Sequence, residues 1–146
     1  MTVINEGAAY RKAIFGNVVS KSTGTLAATT IPLFTIAGGL VCVTSLVGRV
    51  TTAITVANSY KLQHNPTAGT NSDLCTAADL GTTDTVVGEI LVAKKGTAIA
   101  IGAAAVGLPE ILETGQIESV SAGTDGVILW VCTWFPVEDG ATLVAA

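Results

Sequence analysis

The residues that could do chemistry are few and scattered. His64 is the single histidine, and it stands beside Asn65-Pro66, a turn-forming pair, so a solvated loop histidine is expected. With one histidine and no Cys-His-His cluster within one chain, no zinc site is expected. A Ser/His/Asp triad would have to use His64, yet no GxSxG elbow is present and no serine has a distinctive setting. Asp73, Asp79 and Asp84 are spaced irregularly and do not match a calcium loop, which needs alternating oxygen ligands closed by a glutamate. Glu110, Glu113 and Glu118 could place two carboxylates on one side, but an exposed acidic strand accounts for them equally well. No GxGxxG and no Walker loop occurs. The expectation is a protein with no catalytic residues, no cofactor and no metal.

Cys42, Cys75 and Cys132 form no CxxC pair and are odd in number, unlike the even set of a secreted disulfide framework. Cys42 and Cys132 fall in predicted strands and read as buried, small apolar side chains, whereas Cys75 lies in a polar stretch and could be exposed. Trp130 and Trp134 alternate on one apolar segment without basic flanks. They therefore read as core or interface, not as a platform for bases or sugars.

These side chains have to be carried by an unusually apolar chain. Charged residues make up 12% of the 146, against about 25% in ordinary domains, and the mean hydropathy is +0.62. A single domain of this length can bury about 70% of its unfolded surface, so disulfides are not required. Little polar surface remains for water, and coverage by other subunits is the simplest remedy, because interface centres are poor in charge. The net charge of -4 gives no basic stripe of the kind nucleic acid needs. The first residues lack a basic region followed directly by an apolar one, so no export signal is expected and folding in a cytoplasm is.

The organising stretch is Thr30 to Val56, TIPLFTIAGGLVCVTSLVGRVTTAITV. It is long enough for a membrane helix, but Pro32, Gly38, Gly39 and Gly48 divide it into strand-length pieces rich in β-branched residues. Ile31–Ile36 and Leu40–Val47 read as a hairpin around Ala37-Gly38-Gly39, with Gly48 as a second turn or bulge. From Arg49 to Val56 apolar and polar positions alternate, the pattern of a strand with one wet side.

Beyond it, Tyr60–His64 reads as a short strand within a long surface excursion from Asn58 to Gly81. Asp73–Leu80 has the capping chemistry for one helical turn. Val86–Ala93 is a strand candidate, Lys94-Lys95-Gly96 a hairpin tip, and Thr97–Val106 an Ala-rich extended segment. Ile111–Val120 reads as one or two short strands around Gly115. Asp125-Gly126 suits a hairpin turn leading into Val127–Phe135, VILWVCTWF, a central strand expected to be covered on both faces. The tail Ala141–Ala146 can pair as a last strand. The sum is an all-β fold, an antiparallel sandwich or barrel with jelly-roll-like arrangements included.

Met1–Gly24 differs in charge, with Arg11, Lys12 and Lys21 against the single acid Glu6. It reads as an N-terminal arm joined by a flexible link over Ser20–Thr25 to one β domain at 25–146. An ordinary first strand or a frayed terminus is the competing reading. The candidate partner contacts are Tyr10, Arg11, Lys12, Phe15 and Lys21, the cations facing carboxylates on an acidic neighbour.

The runs IPLFTIAGGLVCVTSLVGRVTTA, KLQHNPTAGTNSDLC and WFPVEDGATLVAA together resemble small β-rich proteins encoded among the virion structural genes of tailed bacteriophages. The resemblance covers most of the chain after residue 25 and rests on apolar and turn patterns. It implies a capsid-associated role, such as a decoration protein on the assembled shell, with the major capsid protein or other virion subunits as partners. A homo-oligomer, a trimer or larger ring, is the expected unit, located in the virion and assembled in the host cytoplasm. A tail, fibre or baseplate subunit is the nearest alternative, followed by a carbohydrate-binding sandwich and a small membrane protein.

Overall fold

The computed structural model describes residues 7–93 and 108–146; Lys94-Lys95-Gly96, the Thr97–Val106 segment and the first six residues of the arm lie outside them. One helix, α1 (Gly7–Phe15), precedes eleven strands: β1 (Asn17–Ser22), β2 (Thr30–Ala37), β3 (Val41–Thr52), β4 (Ser59–Pro66), β5 (Ser72–Asp73), β6 (Ala78–Asp79), β7 (Ile90–Val92), β8 (Glu110–Leu112), β9 (Gly115–Ser121), β10 (Val127–Pro136) and β11 (Thr142–Ala145). They form two antiparallel sheets. Sheet A runs β1-β10-β3-β7, with β8 also on β3; sheet B runs β11-β2-β9-β4-β5, with β6 also on β4.

The pairing is nested: β1 with β10, β2 with β9, β3 with β8, and β4 with β5. Each pair is the next rung inward along one long antiparallel ribbon, and the ribbon is rolled so that successive rungs fall in opposite sheets. That is the wrap of a jelly roll, within the all-β sandwich class expected. It also overturns two expected hairpins. Gly38-Gly39 does not join paired strands; it carries the chain from β2 in sheet B to β3 in sheet A. Gly38 has φ +76, and a Cβ there would stand 2.4 Å from the Gly140 carbonyl oxygen, so this crossing tolerates neither a side chain nor its backbone preference. The Asp125-Gly126 turn likewise joins β9 of one sheet to β10 of the other. Asp125 holds this crossing by accepting from the Thr55 amide at 2.8 Å, the Thr55 hydroxyl at 2.7 Å and the Val56 amide at 3.2 Å. Those bonds, that of the Thr55 hydroxyl foremost, lower its pKa.

Gly48 is no turn: β3 passes through it, pairing Gly48 with Trp130. Its lack of a side chain is what lets β10 pack down, because a Cβ would lie 2.9 Å from Ile128 Cγ2 and 3.1 Å from the Trp130 ring. Trp130 in turn reaches the opposite sheet. Its ring is stacked with Tyr60 of β4, centroids 6.2 Å apart and planes within 3°, and its indole N–H donates to the Tyr60 hydroxyl at 2.8 Å. Around this pair the inward residues Phe34, Leu46, Leu62, Ile117 and Ile128 are fully buried, each contributing about 1.5–3 kcal/mol by leaving water.

The Asn58–Gly81 region is a surface excursion only in its second half, where residues 67–80 are mostly exposed; the expected Tyr60–His64 strand is β4. β4 lies inside sheet B, paired with β9 on one side and with β5 and β6 on the other. Asp73–Leu80 forms no helical turn, since its ends pair with β4 as β5 and β6. The buried Asn58 secures the next crossing: its Oδ1 accepts from the Ser121 hydroxyl and from the amides of Ala122 and Gly123 at 3.1, 3.0 and 2.9 Å. The expected two strands around Gly115 are β8 and β9, the Val86–Ala93 strand is present as the shorter β7, and the tail pairs with β2 as β11.

The N-terminal boundary moves. Asn17–Ser22, placed in the arm at the sequence level, is strand β1 along the edge of sheet A. Ser20–Thr25 is no flexible link either, because Ser20 and Ser22 pair with Val131 and Leu129 and Thr23 bonds Ile128 through both its amide and its hydroxyl. Before it, Ala8, Ala9, Arg11, Lys12 and Ala13 are strong helix formers, and Gly16 at φ +85, its amide bonded to the Lys12 carbonyl, ends the helix.

Removing residues 1–15 should leave the β domain folded, with unchanged circular dichroism and a cooperative melt, since α1 has no buried residue. Removing 1–24 strips an edge strand and should lower the melting temperature by roughly 5 °C or more or abolish folding; equal melting of both truncations would contradict the assignment of β1. Tyr60→Phe leaves the Trp130 N–H buried without an acceptor and should cost about 1–3 kcal/mol in urea unfolding.

Candidate assembly surface

The two outer faces of the sandwich are unlike. Residues paired across antiparallel strands point to the same side, so the registers fix each face. On sheet A one row across the outer face is Ser20, Val131, Val47, Val92. The next is Ser22, Leu129, Arg49, Ile90, and towards the other end lies Phe135, Cys42, Ile111. Ile90, Val92, Ile111 and Val18 are 54–64% exposed. In these rows Arg49 is the only charge. On sheet B the corresponding rows are Asp73, Gln63, Glu118, Pro32 and Asn65, Gln116, Thr35, Val144. There Glu118 accepts from Gln63 at 2.7 Å and Asn65 at 2.9 Å, and Lys61 pairs with Asp73 at 2.6 Å. Sheet B is dressed for water and sheet A is not.

This asymmetry corrects the expectation that Val127–Phe135 is covered on both faces. The inward set Ile128, Trp130, Cys132 and Trp134 is buried, while Val127, Leu129, Val131 and Phe135 stand half-buried on the open side. Cys42 shares that outer face, half-buried instead of buried as expected. Cys132 is in the core, where burial pushes its thiol up to about 12. Cys75 is half-buried and its sulfur accepts the Leu62 amide at 3.1 Å; burial, the largest influence, raises its pKa.

Of the anticipated contact residues, Tyr10, Arg11, Lys12 and Phe15 are brought together on α1, all exposed. Lys21 is not with them: it pairs with Trp130 on the inward side of β1 and its ammonium donates to the main-chain oxygen of Ala146. It serves the closure of this chain's own edge. Ile14, which follows Tyr10 by one helical turn, is 50% exposed. Ile90, Val92 and Ile111 were not anticipated as surface. Their parity relative to β3 was the signal, and it cannot be read before the register is known.

The chemistry-bearing residues do not converge on a reactive centre. His64 is buried, not solvated, at an inward position of β4, and one ring nitrogen is bonded to the Glu113 carbonyl oxygen at 3.0 Å. It lines a cleft of about 450 Å³ with Ser72, Glu110 and Glu113. Of the three glutamates expected to offer two carboxylates on one side, Glu110 and Glu113 share this cleft, and Glu118 stands on sheet B. A second cleft of about 390 Å³ opens beside Tyr60, Cys75, Leu91 and Trp130. There the Tyr60 hydroxyl, pushed up to about 12 chiefly by burial, stays neutral across the physiological range. Among the described residues no group of three or more His, Cys, Asp or Glu is placed to hold a metal, and no helix is long and apolar enough to cross a membrane.

Comparison with protein-family models, with curated proteins and with solved structures finds no match to this chain.

In the folded protein Cys132 should remain unmodified by iodoacetamide at pH 8 for hours, and should react at once when urea is added. Mass spectrometry of the Cys132 peptide checks this; rapid labelling without urea would mean that β10 does not hold its inner face closed.

Proposed function

We propose that this protein is a structural subunit of a tailed-bacteriophage particle, most simply a capsid decoration protein that stabilises the shell by bridging its subunits. The observation that carries the reading is the apolar outer face of sheet A, set against the hydrogen-bonded polar face of sheet B. Exposed Ile90, Val92 and Ile111 on one face suit an interface. The rows around Val47 and Val131 are flat, β-branched and nearly uncharged, so they can bury area against another protein without desolvating charge. A decoration protein needs little more: each copy that spans a joint adds contacts that expansion or internal pressure must break. The resemblance of the strand-rich runs to virion proteins points the same way. A jelly roll is found in capsid proteins, lectins and cupins alike, so the fold is compatible with this role without selecting it.

The test is cosedimentation of the purified protein with intact shells and with separated tails of the parent phage. Binding to shells, saturable and weakened at least tenfold by Val131→Asp or Leu129→Asp while circular dichroism stays unchanged, is the expected result. Association with tails alone would move the role to the tail, fibre or baseplate, and association with neither would remove the virion reading.

A further inference from the structure

A nine-residue helix is too short to be stable alone in water, and α1 buries none of its residues in its own domain. It nevertheless exposes three large apolar side chains and two cations. Tyr10 and Ile14 lie one turn apart, Phe15 beside them is 67% exposed, and Arg11 and Lys12 have no ionic partner among the described residues, where the ion pair is Lys61–Asp73.

The start of β1 fixes where this helix leaves the domain. Asn17 pairs with Trp134, and on the same level of sheet A Phe135 pairs with Cys42 and Cys42 with Ile111. Across that level the sheet runs from β1 to β8, roughly 15 Å at about 4.8 Å per strand. At the far edge Ile111 is 61% exposed, and Glu113 follows it, also exposed. The exposed Asp139 lies in the turn between β10 and β11, where neighbouring Glu138 bonds the Leu40 amide just before β3. The β1 edge of sheet A thus ends in an apolar and basic helix, and the same end of the sheet carries, from β10 across β3 to β8, the apolar Phe135, Cys42 and Ile111 with the acids Asp139 and Glu113. Neither set of charges is paired within the chain among the described residues.

We propose that α1 of one copy docks across the β10–β3–β8 end of sheet A in a second copy, with Arg11 and Lys12 against Glu113 and Asp139, and Tyr10 and Ile14 against Ile111 and Cys42. This rests on the reading of sheet A's outer face as an interface and names the partner for one end of it. Because donor and acceptor are different surfaces of the chain, the contact is head to tail. Such contacts close into a ring when the rotation allows. The Val47–Val131–Val92 row is left open for a different partner.

The experiment is native mass spectrometry and light scattering of the full chain and of two double variants, Arg11→Glu/Lys12→Glu and Glu113→Lys/Asp139→Lys. The full chain should form one closed oligomer. Each double variant should be folded by circular dichroism and dissociate at least tenfold more readily. The variant with all four changes should reassemble, and an equimolar mixture of the two double variants should recover the head-to-tail contact, closing into a ring only with an even number of alternating copies. Maleimide labelling of Cys42 should be slow in the oligomer and fast in either double variant. A full chain that is monomeric at tens of micromolar overturns the proposal, as does an oligomer indifferent to both double variants. Shell binding is scored separately on the same proteins. Loss of the ring with retained shell binding by the four-change variant would leave the virion reading standing, and an intact ring that ignores shells and tails would remove that reading while keeping this contact.

Discussion

The contact on which the two sheets depend is that of Trp130 with Tyr60, made possible by the bare backbone of Gly48. The indole fills the space that a side chain at Gly48 would occupy, lies parallel to the phenol of the opposite sheet and satisfies its own N–H there. A large aromatic ring can be buried to this depth only if its polar atom finds a partner. The partner is on β4, the strand that follows β3 after one crossing to the other sheet. Packing and hydrogen bonding therefore specify the same alignment of sheet on sheet. The nested ribbon amplifies the requirement, because apart from the local β4–β5 hairpin the main rungs pair strands distant in sequence, at high entropic cost.

Rolling the ribbon leaves each sheet with an outer face, and the chain treats the two differently. On sheet B the outer side chains satisfy one another, so water can cover them at no loss. On sheet A the outer rows of β10 and β3 carry Leu129, Val131, Phe135, Cys42 and Val47 with Thr133, Ser45 and Arg49 among them. Arg49 breaks the surface without drawing an acid beside it. The free helix at one edge and the acids at the same end of the sheet belong to this open side. A domain built in this way is most stable when its neighbours are in place, which is the physical basis for reading it as a subunit and not as a free carrier of chemistry.

Much of the strand content was legible because alternation is a local property. Ile128, Trp130, Cys132 and Trp134 must share a face wherever β10 sits, and Tyr60, Leu62 and His64 must do likewise. The same alternation placed His64 inward, although the neighbouring Asn65-Pro66 suggested a solvated loop; the turn begins only after Pro66. The glycines at 38, 39 and 126 marked turns correctly. They did not say whether the chain turns back along its own strand or over to the other sheet, since a positive φ serves both. The helix at 7–15 was hidden for another reason. Ala, Arg and Lys favour helix, but nothing buries that helix within the chain, and the apolar periodicity that usually announces one is absent.

The sequence by itself determined an all-β domain, which residues of each long strand share a face, and a basic, apolar N-terminal segment. These follow from residue type and near-neighbour spacing, which act before the chain is folded. Tertiary structure decided that Lys21 closes its own chain's edge while Arg11 and Lys12 stay free, that β1 belongs to the domain, and that Ile90, Val92 and Ile111 open outward beside Val47 and Cys42. Those outcomes depend on register, and register is set by which distant strand supplies the matching buried face.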